Sequence, residues 1–496
     1  MISAIIPTYN HGTFLPAAVN SILKQSYQDF ELIIVDDGST DNTKAYLDTL
    51  IDERIRVIHQ PNMRLPAALN TGMRAAKGMY VTWVSADCYC ANNFLEVLYN
   101  ELHNDTRIGL VYSNFYIIDE FAKKTSKRVL NDYGITTFIH GFHGSASFMY
   151  KRECHDIVGY YDTELEGAED FDMWVRIEEH YMCRHVPDFL YYYRQHENTM
   201  SHMMLPKVKI SRIKAKENRA KRNDTQDTSM NLVLVTNQKF IISAVNLIEE
   251  YKKYSSNKKI LFYHYGNMPE GFLEWLKKRY QKQIIIKQVE QVCNHAWDSG
   301  LYFYKVYAIH DAMFSTNEPF LYLDCGISIL KPTTEIENEL KKHTRMLVWL
   351  NEINEKWITK KCFEKMGLTG NKYYKALMFN AGIQAYLPNG TNKRFIDELY
   401  QNMLDIEIAG PSKGTRHPEP KNPICKAHRN DQSVLSILVQ KYGFTEYCGD
   451  WNFLHKFAGW ESPVMVKNQV LYVHRNKVRS IMLTEDTIKE LEQWIG

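Results

Sequence analysis

"IIPTYNHGTFLPAAVNSILKQSYQDFELIIVDDGSTDNT", Ile5 to Thr43, decides the fold of the first half of the chain. "SAIIP" (Ser3–Pro7) and "FELIIVDD" (Phe30–Asp37) are β-rich apolar runs that close in polar turns. Between them "FLPAAVNSILKQS" (Phe14–Ser26) carries its apolar residues at helical spacing. Outward from there, "RIRVIHQ" (Arg54–Gln60), helical "PAALNTGMRAAKG" (Pro66–Gly78) and "MYVTWVSAD" (Met79–Asp87) continue the alternation. Such βαβα order predicts an α/β fold with a mostly parallel sheet and helices on both faces. Ligands of open α/β sheets sit beyond the carboxyl ends of the strands. Asp36, Asp37 and Asp87 all stand at such ends.

A second alternation begins at "MNLVLVTN" (Met230–Asn237) and runs through "KKILFYHYG" (Lys258–Gly266) to "PFLYLDCGISIL" (Pro319–Leu330). In both halves a strand ending in Asp-Cys follows the first strand by roughly ninety residues, as in a diverged duplication. At 496 residues the chain exceeds one ordinary core, so we expect domains at 1–205 and 230–496. Residues 206–229 form a basic linker, "PKVKISRIKAKENRAKRNDTQDTS". That run is either a solvated helical joint or an electrostatic foothold on anionic lipid or a phosphate-bearing acceptor.

Bulk properties exclude several classes. A net charge of +2 gives no reason to expect a nucleic-acid polymer as partner. Nine scattered cysteines point to a reducing compartment. The start "MISAIIPTYN" lacks a basic leader, and no uncharged run is long enough to span a bilayer. The expected location is cytoplasmic, with contact at the cytoplasmic face of a membrane left open.

Three clusters carry the chemistry of the first half. In "VDDGS" the carboxylates can accept from base N–H groups and ribose hydroxyls, and Gly38 permits close backbone approach. The same turn can cap the next helix, which explains Ser39–Asp41. In "WVSADCYC" (Trp83–Cys90), Asp87 is a candidate hard ligand for Mn²⁺ or Mg²⁺, or a turn residue closing its strand. Cys88 and Cys90 lack the second pair or nearby histidine of a zinc site. "GAEDFDMW" places Glu169, Asp170 and Asp172 at a helix start, where acids also serve capping and dipole roles. The dipole lowers the pKa of Asp170 and neighbouring acids raise it. Trp174, one turn on, is either a platform or a core residue, with the core favoured.

Together with "YYYRQHENTMS" (Tyr191–Ser201), these motifs resemble, in order and spacing, family 2 glycosyltransferases of the GT-A fold over about the first 205 residues. The resemblance implies transfer of a sugar, with inversion, from a nucleotide-diphospho-sugar, a UDP-sugar being favoured, to a glycan or glycolipid acceptor. It assigns Asp36 and Asp37 to the nucleoside, with Thr8 and Tyr9 lining the base pocket. Asp87 becomes the metal ligand, His196 a further ligand, and Asp170 the catalytic base. Where the family shows Asp-x-Asp, this chain has Ser85-Ala86-Asp87. Where relatives carry a base-binding arginine, it has Ala68-Leu69-Asn70, with Arg64 nearby as a substitute.

In the second half, "FLYLDCGISILKP" (Phe320–Pro332), "MFNAGIQAYLP" (Met378–Pro388), "RNDQSVLSILVQKYG" (Arg429–Gly443) and "LYVHRNK" (Leu471–Lys477) look like a distant GT-A glycosyltransferase of the family 8 kind. That likeness implies Asp324 and His474 as cation ligands, Asp431 facing a sugar and Asn380 its hydroxyls. A plain helix start at Asp431 and a core role for His474 are the structural alternatives. The loop Gly410–His428 is expected to cover a diphosphate, or to be a simple excursion. Two GT-A-like domains in tandem would make a bifunctional glycosyltransferase of polysaccharide or lipid-linked oligosaccharide synthesis. The alternative keeps catalysis in the first domain and leaves the second as a degenerate acceptor-binding or scaffold module. A nucleotidyltransferase shares the strand-end acids but does not account for "EDFDMW" or "YRQH".

Overall fold

The computed structural model describes residues 1–130, 147–196, 205–296, 301–325, 327–329, 332–410, 430–444, 458–459, 472–474 and 477–479. The chain divides into two compact units, Met1–Arg222 with Asn389–Thr391, and Asn223–Pro388 with Asn392–Gly496.

In unit 1 the strands are β1 (Ile2–Thr8), β2 (Phe30–Asp36), β3 (Ile55–His59), β4 (Tyr80–Trp83), β5 (Tyr89–Cys90), β6 (Ile108–Ile118), β7 (Lys124–Arg128), β8 (Phe148–Lys151) and β9 (Met182–Arg194). They form one sheet in the order β3-β2-β1-β4-β8-β6-β9-β5, with β7 on β6. The β1, β2, β3 and β4 pairings are parallel, as the alternation predicts. Beyond β4 the sheet turns mixed, because β8 runs antiparallel to both β4 and β6. Helices α1 (Leu15–Leu23), α2 (Thr43–Leu47), α3 (Leu65–Ala75) and α4 (Phe94–His103) alternate with these strands. Each of α1 and α3 starts with a proline in its first turn, where the missing N–H costs no hydrogen bond. Gly72 lets α3 lie close on the sheet, since a Cβ there would sit 2.6 Å from Ile5 Cγ2.

Helices α5 (Cys154–Val158) and α6 (Glu169–Glu178) follow β8. Trp174 of α6 is fully buried, edge-on to Phe148, so the core role is the observed one. The basic run becomes helix α7 (Leu205–Thr225). Part of its charge faces unit 1's own acids: Arg222 pairs with Glu179 at 2.9 Å and Arg219 with Glu178 at 3.3 Å.

Unit 2 contains β10 (Asn231–Thr236), β11 (Ile260–His264), β12 (Ile284–Gln288), β13 (Phe320–Leu323), β14 (Ser328–Ile329), β15 (Arg345–Ile353) and β16 (Leu377–Tyr386). Three short strands follow, β17 (Ala458–Gly459), β18 (Tyr472–His474) and β19 (Lys477–Arg479). The main sheet has the order β12-β11-β10-β13-β16-β15. Its first four strands are parallel, and β16 is antiparallel to both β13 and β15. This repeats the β3-β2-β1-β4-β8-β6 pattern of unit 1, strand for strand in order and direction. Helices α8 (Ile241–Tyr254), α9 (Phe272–Tyr280), α10 (Phe303–Ser315) and α11 (Asn430–Lys441) pack about it, with buried apolar residues on both faces of the sheet. Both units are thus α/β with the sheet order of a nucleotide-binding fold. Among the described residues no helix is long and apolar enough to cross a membrane.

Candidate active site

Strand register assembles the first part of the site. Thr8 aligns with Asp36 across β1 and β2, and Asp36 with His59 across β2 and β3. The three lie in one row at the carboxyl edge of the sheet. Asp36 accepts from the Ser39 N–H at 3.0 Å and contacts His59 Nδ1 at 2.9 Å. Burial works to raise its pKa, but the hydrogen bonds from Ser39 and the contact with His59 prevail and hold it below the usual carboxylate value. Asp37 Oδ1 accepts from Gln60 and from the Met63 N–H. Gly38 has φ +80°, and a Cβ there would approach Asn62 N to 2.9 Å, so the turn demands glycine. Thr8 Oγ1 is buried with no hydrogen-bond partner, a donor left for something other than the protein. Tyr9 is 45% exposed. Arg64 is engaged with Glu166 at 2.9 Å, and to reach a nucleobase it would have to leave that pair.

Ser85 Oγ donates to Asp87 Oδ1 at 2.6 Å, and the Cys88 thiol lies 3.1 Å from the same oxygen. The residue standing where the family has its other acid therefore orients the acid that is kept. Burial, aided by the Asp87 charge, pushes the Cys88 thiol well up, and burial does the same to Cys90. Both stay protonated, which rules against a thiolate centre. Burial also acts to raise Asp87, but the bonds from Ser85 and Cys88 and the nearby His11 and His196 hold it below its usual value. His196 Nε2 lies 3.1 Å from Asp87 Oδ2, and ligand atoms of His11, Asp87 and His196 all lie within 4.8 Å of one another. One carboxylate and two imidazoles, with His11 Nδ1 buried and unbonded, fit a divalent cation. Among the described residues no other set of three such side chains converges this way.

Asp170 sits in the first turn of α6 and accepts the Phe171 N–H at 2.6 Å. Burial raises its pKa, and neither that bond nor the Arg212 charge offsets the effect. Its neighbour Glu169 accepts the Gly167 N–H and is pushed up to about 8 by burial and by Asp170. Asp172 is structural: it pairs with Arg176, which also bonds the Val158 and Tyr160 carbonyls.

Whereas Val84–Ala86 separate Asp87 from the end of β4, so that the strand stops short of the expected Met79–Asp87 run, in unit 2 Asp324 stands directly after β13. Its partners are the Tyr322 hydroxyl at 2.8 Å and the Lys305 ammonium of α10 at 2.7 Å. Burial works against the charge on Lys305, but Asp324 and Asp431 together raise its pKa, so all three groups share one neighbourhood. Beside them Tyr265 and Tyr304 stack at 4.3 Å, and Asn237 bonds Tyr265. Asn380 is buried and folds its Oδ1 back onto the Gly382 N–H. His474 lies in β18, whose side chains fall outside the described residues, as does nearly all of the loop Gly410–His428.

Sequence reasoning missed His11, His59 and Lys305. His59 was findable once β2 and β3 were paired in register. His11 and Lys305 carry no local signal.

Comparison with known proteins places the first unit. Residues 3–161 match the family model described as glycosyl transferase family 2. Glycosyltransferase GlyG of Streptococcus pneumoniae is 42% identical over 123 residues, covering 24% of this chain and 40% of that protein. An uncharacterized glycosyltransferase of Rickettsia felis is 30% identical over 188 residues, covering 36% of this chain and 31% of that one. The chain thus spans less than half the length of either relative. A crystal structure of S. aureus TarS 1–349 with UDP-GlcNAc superposes at TM-score 0.35 and 19% identity, over 40% of this chain and 59% of that chain, too loosely to carry an argument. Residues 3–161 of the first unit are thus similar to glycosyl transferase family 2, with Asp36, Asp37, the Gly38 turn and Asp87 inside the matched stretch and the α6 acids beyond it.

Proposed function

We propose that unit 1 transfers a sugar from a nucleotide-diphospho-sugar, a UDP-sugar by preference, to a hydroxyl of a glycan or glycolipid acceptor, with inversion at the anomeric carbon. The observation that carries this is the convergence of His196 on Asp87, which lies with Asp36 and Asp37 in the stretch that matches the family 2 model. Thr8, Tyr9, Asp36 and Asp37 hold the nucleoside. Asp87 and His196 hold Mn²⁺ or Mg²⁺, which when bound neutralises the charge of the departing nucleoside diphosphate. Asp170 takes the proton of the acceptor hydroxyl as that oxygen attacks; the new C–O bond forms as the bond to the β-phosphate breaks. A cytoplasmic site of action, with α7 touching an anionic membrane surface, suits a lipid-linked acceptor.

For unit 2 we propose a second, family 8-like donor site, making the chain bifunctional. The repeated sheet order, and Asp324 and Asp431 both acting on the charge of Lys305, support it. Asn380 would meet sugar hydroxyls, and Asp324 with His474 would hold the cation. The pairing of Asp324 with Lys305 favours the alternative of a non-catalytic binding module, because a bound cation must compete with that ammonium. A panel of nucleotide sugars with Mn²⁺, read by nucleoside diphosphate release from wild type, Asp87→Asn and Asp324→Asn, tests both. Loss of a different donor's turnover in each variant is the expected result. Turnover that survives Asp87→Asn for every donor would sink the reading of unit 1. Turnover that survives Asp324→Asn for every donor would leave unit 2 as a binding module.

A further inference from the structure

We infer that His11 is the third protein ligand of the unit 1 cation site, and that the site selects Mn²⁺, or another ion that accepts nitrogen ligands, over Mg²⁺. The inference deepens the transferase reading of unit 1 and rests on it for the presence of a cation at all.

Geometry supplies the first support. Donors on one ion with bonds of about 2.1 Å lie about 3 Å apart when adjacent and about 4.2 Å when opposite. The ligand atoms of His11, Asp87 and His196 already lie within 4.8 Å of one another, so a small inward shift completes a coordination sphere.

The environment of each group supplies the second. Asp87 Oδ1 is occupied by Ser85 and Cys88, which leaves Oδ2 on the side of His196. His196 follows β9, and its ring packs on Phe14 at 5.2 Å. Arg194, two residues earlier, bonds the Asp87 carbonyl at 2.8 Å, which ties the two ligand-bearing segments together. His11 is fixed from both sides. Asn10 adopts φ +56°, and its Oδ1 accepts the Thr40 N–H. The Gly12 N–H bonds Asp41, and the His11 carbonyl accepts the Phe14 and Leu15 N–H groups at the start of α1. A loop held this firmly presents an imidazole whose Nδ1 is buried and bonded to nothing. A buried nitrogen without a partner is costly unless a ligand satisfies it.

The donor chemistry gives the selectivity. Mg²⁺ takes oxygen ligands and keeps several waters, whereas imidazole suits the later first-row ions. Two histidines and one carboxylate also leave open positions for the oxygens of a diphosphate. With one carboxylate instead of two, the loaded site keeps a net positive charge, which favours the anionic diphosphate.

The test uses the full chain, stripped with a chelator and desalted. Mn²⁺ binding is read from loss of the free-ion EPR signal, and Mg²⁺ binding by competition, for wild type, His11→Ala and His11→Gln. Thermal melts report folding. We expect both substitutions to weaken Mn²⁺ by about 10–100-fold and Mg²⁺ far less, so that the preference collapses. Mn²⁺ affinity unchanged in both variants, or parallel losses for the two ions, overturns the inference. Pulsed EPR of Mn²⁺-loaded wild type needs no variant. Nitrogen coupling from two imidazoles is expected, and coupling from one or none overturns it. Two-nitrogen coupling without turnover of any donor keeps the site and removes the transferase reading. Turnover without such coupling does the reverse.

Discussion

The carboxyl of Asp170 is pulled two ways, and which pull wins matters for the role of base proposed for it. Its place in the first turn of α6 favours the charged form. Burial favours the neutral form more strongly, so its pKa is raised. Glu169 shares the surroundings and the titration, and the two acids ionise as a pair. A base must be unprotonated to act, and a raised pKa means that protonation sets in sooner as pH falls. The acid limb of nucleoside diphosphate release with acceptor present should therefore lie above the ordinary aspartate value of 3.8. A limb at or below that value would remove Asp170 from the role of base. Asp170→Asn should lower the rate by about 10²–10⁴. It should leave Mn²⁺ binding intact, as checked by EPR titration of the same variant.

At the scale of the element, α6 shows how one short helix carries the proposed base on a rigid stem. Phe171, Trp174 and Ile177 sink into the core, while Asp172 holds Arg176 against the carbonyls of Val158 and Tyr160. That ion pair is nearly buried, at 3% and 11% side-chain exposure, so removing one partner strands the other. Asp172→Ala should cost about 3–5 kcal/mol in a urea unfolding series, whereas a surface acid would cost almost nothing. A loss below about 1 kcal/mol would show that the carbonyls alone satisfy Arg176. The strand-level counterpart is the Thr8–Asp36–His59 row, where parallel register alone sets the pairing of His59 with Asp36.

Across the whole molecule, one sheet order occurs twice, each time with its own core and an acid beyond the carboxyl end of the fourth strand. The two copies differ at that acid. Asp87 faces imidazoles, and Asp324 faces an ammonium held 2.7 Å away. Lys305→Met leaves Asp324 with the Tyr322 hydroxyl and should destabilise unit 2 by about 1–3 kcal/mol. Turnover that depends on Asp87 should not change, since each unit has its own core. Calorimetry with a donor-release assay on the same sample checks both, and loss of Asp87-dependent turnover would show the units to be functionally coupled.

Much of this was legible in the sequence. Hydrophobic periodicity set the alternation from Ser3 to Asp87, and turn residues marked Asp36, Asp37 and Asp87 as strand ends, because each is a property of a few adjacent residues. The antiparallel strands beyond β4 were not legible, since pairing direction depends on contacts between distant segments. Nor was the direction of the Asp170 shift, which burial decides. His196 meets Asp87 across 109 residues of chain, and His11 reaches both only through the packing of β1 beside β4. The sequence by itself determined which acids stand at or just beyond the carboxyl ends of which strands. Tertiary structure alone decided which histidines and which lysine stand opposite them, because electrostatic partners are chosen by distance in space and not along the chain.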